Sequence, residues 1–147
     1  MTDRPGMGSP SAPHWRSSVL LAAAALLTGY ALYAVARPRT HWFLLWHVTP
    51  SLEPRASSIS WLIGSAPSFL HTLAFALLLA LAVGGDRGRR YAACLAWGAI
   101  EILSELAQLP SVGGLLAGTF SVVDLVAVIL GTAVAIGHVH STKGEQP

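Results

Sequence analysis

Glu101, Glu105 and Gln108 lie in an otherwise apolar stretch, at spacings of four and three residues that put them on one stripe of a helix. A carboxylate in hydrocarbon costs about 3 kcal/mol, so it normally faces a partner or a wet cavity. His71 and Asp124 sit near the ends of two neighbouring apolar stretches. A histidine or a buried carboxylate can serve as general base toward water or a hydroxyl, and an amide can donate to a developing oxyanion. Here Glu105 or His71 would be the base, Asp124 would orient the histidine or hold a cation, and Gln108 would be the donor. Such a mixed nitrogen and oxygen set suits a divalent cation, although the spacing follows no metal motif and no cofactor is required. No serine or cysteine stands out as a nucleophile.

The elements that must carry these groups follow from composition. The chain has 147 residues, 53% apolar and 11% charged. Soluble domains carry about a quarter charged residues, so this chain is built for another solvent. Its length allows one helical bundle. A formal charge of +2, scattered along the chain, is too small for a nucleic-acid footprint. The single cysteine, Cys94, excludes an internal disulfide and reads as a small core residue.

The expected fold is all-α, a polytopic bundle of four transmembrane helices with an interfacial external segment after the first. Spans are placed at about 17–36, 67–83 (with Ile59 as the alternative start of this second span), 90–109 and 121–137, within a domain of 17–140 and between tails of 1–16 and 141–147. The first span carries no charge over twenty residues, enough for about 30 Å of hydrocarbon. Ala34-Val35-Ala36 looks like a signal-peptide cleavage site, but the apolar run exceeds a typical signal core and favours a retained helix. Pro67 fits a first helical turn, Pro110 closes the third span, and Ser121 suits an N-cap. His41-Trp42-Phe43-Leu44-Leu45-Trp46-His47 is too short to span and suits the outer headgroup layer or a re-entrant turn. Arg4, Arg16, Arg87, Arg89, Arg90 and Lys143 then face one side against Arg37, Arg39 and Arg55, which puts both termini in the cytoplasm.

With that topology His71, Glu105, Gln108 and Asp124 share one depth beneath the outer surface. Glu101 lies deeper as a floor, and Ser121 supports Asp124 from the helix start. Each has a plainer reading. Ser121-Val122-Val123-Asp124 resembles a capping box, His71 alone reads as a neutral hydrogen-bonded ring, and Gln108 reaches the interface beside Pro110. The two glutamates are harder to explain that way, and the set together points to a pocket. His138 and His140 fall at the opposite face, in a solvated tail.

The motifs His71-Thr72-Leu73-Ala74-Phe75, Glu105-Leu106-Ala107-Gln108 and Phe120-Ser121-Val122-Val123-Asp124-Leu125, with Gly131 beyond, resemble the VanZ-like family of small bacterial membrane proteins. The resemblance covers about 65–136. Ala66-Pro67-Ser68, Thr119 and Val128 stand where that family commonly carries a Pro-Asp-Lys-like lead, an arginine and an asparagine. The resemblance implies a bacterial cytoplasmic membrane location, a link to glycopeptide (teicoplanin-type) resistance, and partners among membrane lipids or lipid-linked precursors.

Two function classes remain open. One is an intramembrane hydrolase or transferase acting on a lipid headgroup or lipid-linked precursor. The other is a non-catalytic binding or shielding protein whose polar groups hold a headgroup or lock helices together. Small residues such as Gly113, Gly114, Gly118 and Gly137 permit close packing or oligomerisation without naming a partner.

Overall fold

Long charge-free runs leave the backbone one way to satisfy its polar groups in lipid, which is to form helices. A computed structural model describes residues 15–36, 60–109 and 120–142. Every regular element among the described residues is an α-helix: α1 Trp15–Ala36, α2 Ser60–Val83, α3 Arg87–Leu106 and α4 Val122–Ser141. Three of these, α1, α2 and α4, are long and apolar enough to cross a membrane, which marks the chain as a membrane protein. The helix α3 is of similar length, but Arg87, Arg89 and Arg90 open it and Glu101 and Glu105 lie near its end. Its charge-free middle, Tyr91 to Ile100, covers only ten residues. Four transmembrane helices were expected, the third carrying the two glutamates; length and apolar character sufficient to cross a membrane are shown for the other three.

One boundary differs in an instructive way. Pro67 lies inside α2, which begins at Ser60. The proline removes one backbone N–H, but the helix continues N-terminally through Trp61, Leu62 and Ile63, an apolar run that gains by staying helical in lipid. The stretch from Ser60 on, which a start at Pro67 puts outside the second span, is helical in α2, and the aromatic part of the expected interfacial segment lies outside the described residues. At the other end, Gly84 and Gly85 take positive φ angles of 58° and 72°, and Asp86 caps α3 by accepting from the Arg89 backbone N–H at 2.9 Å.

The helix α2 packs against all three others, and α4 also packs against α3. Cross-helix contacts fix their directions. Gly98 meets Thr132 and Tyr91 meets His140, so α3 runs against α4; Gly29 meets Leu70 near the start of α2 while Ser18 meets His138 near the end of α4, which, with α2 and α4 parallel, sets α1 against α2. Gly131 meets Phe69 and Thr72 while Asp124 meets Ser68, so α2 and α4 are parallel. The start of α2, the end of α3 and the start of α4 thus share one end of the bundle.

The core is made of small residues. Ala22, Ala25, Ala74, Ala76, Ala80, Ala93, Cys94 and Ala135 surround Leu73 and Leu77. Leu20, Leu27, Leu103, Ile129 and Leu130 point outward and are exposed. Small inside and large apolar outside is the arrangement expected where lipid, rather than water, bathes the surface. Two glycines set the approach distances. A Cβ on Gly131 would lie 2.7 Å from the Phe69 backbone oxygen, and one on Gly98 would collide with the Thr132 side chain.

Candidate functional site

The row Ala93, Trp97, Glu101, Glu105 repeats every four residues and forms one face of α3. On α2, His71 and Phe75 are likewise one turn apart. The antiparallel pairing sets these rows against each other. Trp97 lies against Phe75, their rings 5.1 Å apart and 19° from parallel. Glu101 lies against His71, its Oε1 3.7 Å from the imidazole Nδ1. The Phe75 ring edge also packs on His71 at 4.6 Å. Continuing the same pairing by one turn brings Glu105 level with Pro67.

This corrects the roles read from depth alone. Asp124 was expected to orient His71 or hold a cation, with Glu101 as a floor; the carboxylate beside His71 is Glu101. Asp124 is instead 7% exposed and held elsewhere. The Ser68 hydroxyl donates to its Oδ1 at 3.3 Å, and its backbone N–H donates to the Ser121 hydroxyl at 3.3 Å, closing the N-cap of α4. Ser68 precedes His71 by three residues on α2, so the Asp124 group and the His71 group lie about 4.5 Å apart along the helix axis. Thr72, fully buried, donates to the Ser68 carbonyl at 2.8 Å and steadies that turn. Gln108 lies in the turn that follows α3, its backbone N–H bonded to the Glu105 carbonyl at 3.1 Å. Both Glu105 and Gln108 are half-buried at the same end of the bundle as His71 and Asp124.

The His71 imidazole is half exposed, at 49%, while Glu101 is 19% exposed. At 3.7 Å the contact exceeds hydrogen-bond length. Glu101 faces Nδ1 of the ring rather than Nε2. Beside them the Trp97 indole N–H is buried and has no hydrogen-bond partner among the described residues. A buried donor without an acceptor calls for an explanation, which a water or a ligand oxygen would supply; Trp97 does not itself line the cleft beside His71. Nothing in the sequence singled Trp97 out; the repeat of four residues with Glu101 was the available signal.

A cleft of about 330 Å³ opens beside His71 between α1 and α2. Its walls are mainly apolar, from Ala25, Leu26, Gly29 and Phe75, with Ser68, His71 and Tyr30 contributing the polar atoms. Among the described residues no three His, Cys, Asp or Glu side chains gather as a metal-binding group.

The two histidines expected in a solvated tail are engaged. His138 Nε2 lies 2.9 Å from the Ser18 hydroxyl of α1, and His140 Nδ1 lies 2.8 Å from the Tyr91 hydroxyl of α3. They tie α4 to both neighbours at the end of the bundle away from His71. No family model, no curated protein and no solved structure matches this chain.

Proposed function

We propose that this is a VanZ-like membrane protein whose polar recess acts on a lipid headgroup or a lipid-linked envelope precursor, by hydrolysis or headgroup exchange. The observation that carries the reading is the His71–Glu101 pair at 3.7 Å, set at one end of a lipid-facing bundle and opening onto a mainly apolar cleft. A half-exposed histidine backed by a less exposed carboxylate is the arrangement of a general base. In hydrolysis, Nε2 of His71 accepts a proton as water forms its bond to the headgroup phosphorus or carbonyl carbon. The same proton returns to the leaving oxygen as its bond breaks, and Glu101 stabilises the imidazolium between the two steps. Contraction of the pair by somewhat less than 1 Å on substrate binding would turn the ionic contact into a hydrogen bond. The Trp97 N–H supports the reading as a donor awaiting a ligand oxygen.

On this reading α3 is the fourth crossing. Its arginines anchor one surface, its glutamates line the recess near the other, and its uncharged middle packs on α2 and α4. Both termini are cytoplasmic and the recess lies under the outer surface of a bacterial cytoplasmic membrane. A non-catalytic shielding protein is the competing reading.

Lipid profiling of bacteria producing wild type, His71→Gln or Glu101→Gln tests the proposal. Wild type should change a phospholipid or lipid-carrier species, and both variants should lose that change at normal membrane levels. A change that persists in both variants would rule out catalysis by this pair.

A further inference from the structure

The cleft between α1 and α2 has dimensions that say what fills it. It follows α2 from Pro67 to Phe75, eight residues or about 12 Å at the helical rise, and α1 from Ala25 to Tyr30. One leaflet contributes about 15 Å of hydrocarbon, half of the roughly 30 Å core. A dry cavity of about 150 Å³ holds one benzene ring, so about 330 Å³ accommodates roughly a dozen carbon atoms. The polar atoms, from Tyr30, Ser68 and His71, share the cleft with a hydrocarbon wall of Ala25, Leu26 and Phe75. Tyr30 and His71 are themselves exposed, and α1 and α2 are both apolar enough to border lipid directly.

From this we infer that the cleft is a slot for one straight acyl chain of a glycerophospholipid. The lipid enters sideways from the bilayer between α1 and α2, with its headgroup toward Pro67 and Ser68, its glycerol esters level with His71 and its chain against Leu26 and Phe75. The inference rests on the proposed lipid chemistry for the headgroup end, and it narrows the substrate to a diacyl lipid taken from within one leaflet. A soluble headgroup would leave the apolar wall unused. A long isoprenoid carrier chain extends well beyond the one-leaflet depth of the slot.

The full-length protein is reconstituted in phosphatidylglycerol vesicles doped with phosphatidylglycerol bearing a mid-chain diazirine, and cross-linked peptides are mapped after illumination. A parallel arm uses a photoreactive polyprenyl phosphate. Cross-links should concentrate on Ala25 to Tyr30 and Pro67 to Phe75 with the acyl probe. They should fall at least five-fold in Leu26→Trp, which fills the slot, and should not change in Leu20→Trp on an exposed face of the same helix. Gly29→Ala is the milder variant should Leu26→Trp not accumulate; its added Cβ enters the slot wall 3.3 Å from Leu70 Cβ, and labelling should fall measurably. Glu101→Gln should leave the acyl pattern intact, because the slot does not need the reaction. Loss of activity in Glu101→Gln with labelling unchanged supports both proposals, while retained activity with slot labelling overturns only the chemistry. Labelling spread evenly over Leu20, Leu103 and Ile129, or slot labelling by the polyprenyl probe alone, overturns the acyl slot.

Discussion

Gly131→Ala is the sharpest perturbation of the bundle. The new Cβ would lie 2.7 Å from the Phe69 backbone oxygen and 3.2 Å from Thr72 Cβ, whereas ordinary contact begins at 3.4 Å. Relief requires α4 to move about 0.7 Å from α2, because a backbone carbonyl inside a helix cannot swing aside. Overpacking of this kind costs about 1–3 kcal/mol. The same displacement stretches the Ser68–Asp124 hydrogen bond from 3.3 Å to about 4 Å, beyond useful length. Gly98→Ala provides the contrast, since its collision is with the Thr132 side chain. Adding Thr132→Ala leaves Thr132 Cβ as the nearest atom named there, at 3.2 Å, and should recover most of the loss. Thr72→Ala should not recover Gly131→Ala. Reversible unfolding in mild detergent measures each free energy. A Gly131→Ala protein within about 0.5 kcal/mol of wild type, or a Gly98→Ala/Thr132→Ala double variant no more stable than Gly98→Ala, would refute the packing argument.

Trp97→Phe keeps the stack on Phe75 and removes the indole N–H. Retention of copurifying lipid should fall about two- to ten-fold, the worth of one hydrogen bond, while the lipid-stripped protein keeps its unfolding free energy within about 1 kcal/mol. A large loss of stability without a change in lipid retention would mean that the N–H serves folding. The proposed orientation is open to thiol labelling: in a Cys94→Ala background, Ser111→Cys should react with an impermeant reagent from outside the cell. Reaction only after permeabilisation would invert the bundle.

Much of this bundle was legible in the chain. Uninterrupted apolar runs gave the positions of α1, α2 and α4, and the serine three residues before Asp124 gave the cap of α4. The chain alone puts the start of α2 between Ile59 and Pro67, because a proline is an equally good sign of a first turn and of a tolerated interior position in lipid; the helix begins at Ser60, beside the earlier of the two. Partner assignment failed for a related reason. Depth counted from helix ends is uncertain by a turn, and one turn is the difference between Glu101 and Glu105 as the carboxylate opposite His71. Register is set by where Gly98 meets Thr132 and Gly131 meets Phe69, and a single chain does not announce which glycines touch which neighbours. His138 and His140 were read as tail for the same reason: their hydroxyl partners are 120 and 49 residues away.

Only Gly84, Gly85 and Asp86 separate α2 from α3. If α3 crosses the bilayer, that shortness governs biogenesis. The helix carries arginines at its positive pole and glutamates toward its negative pole, the reverse of what its own dipole favours, so it is a poor candidate to partition into lipid alone. Tethered to the strongly apolar α2, it can be drawn in as the second limb of a hairpin, its carboxylates carried across beside the imidazole. Lengthening the linker with flexible residues should then slow insertion more than it weakens the finished protein.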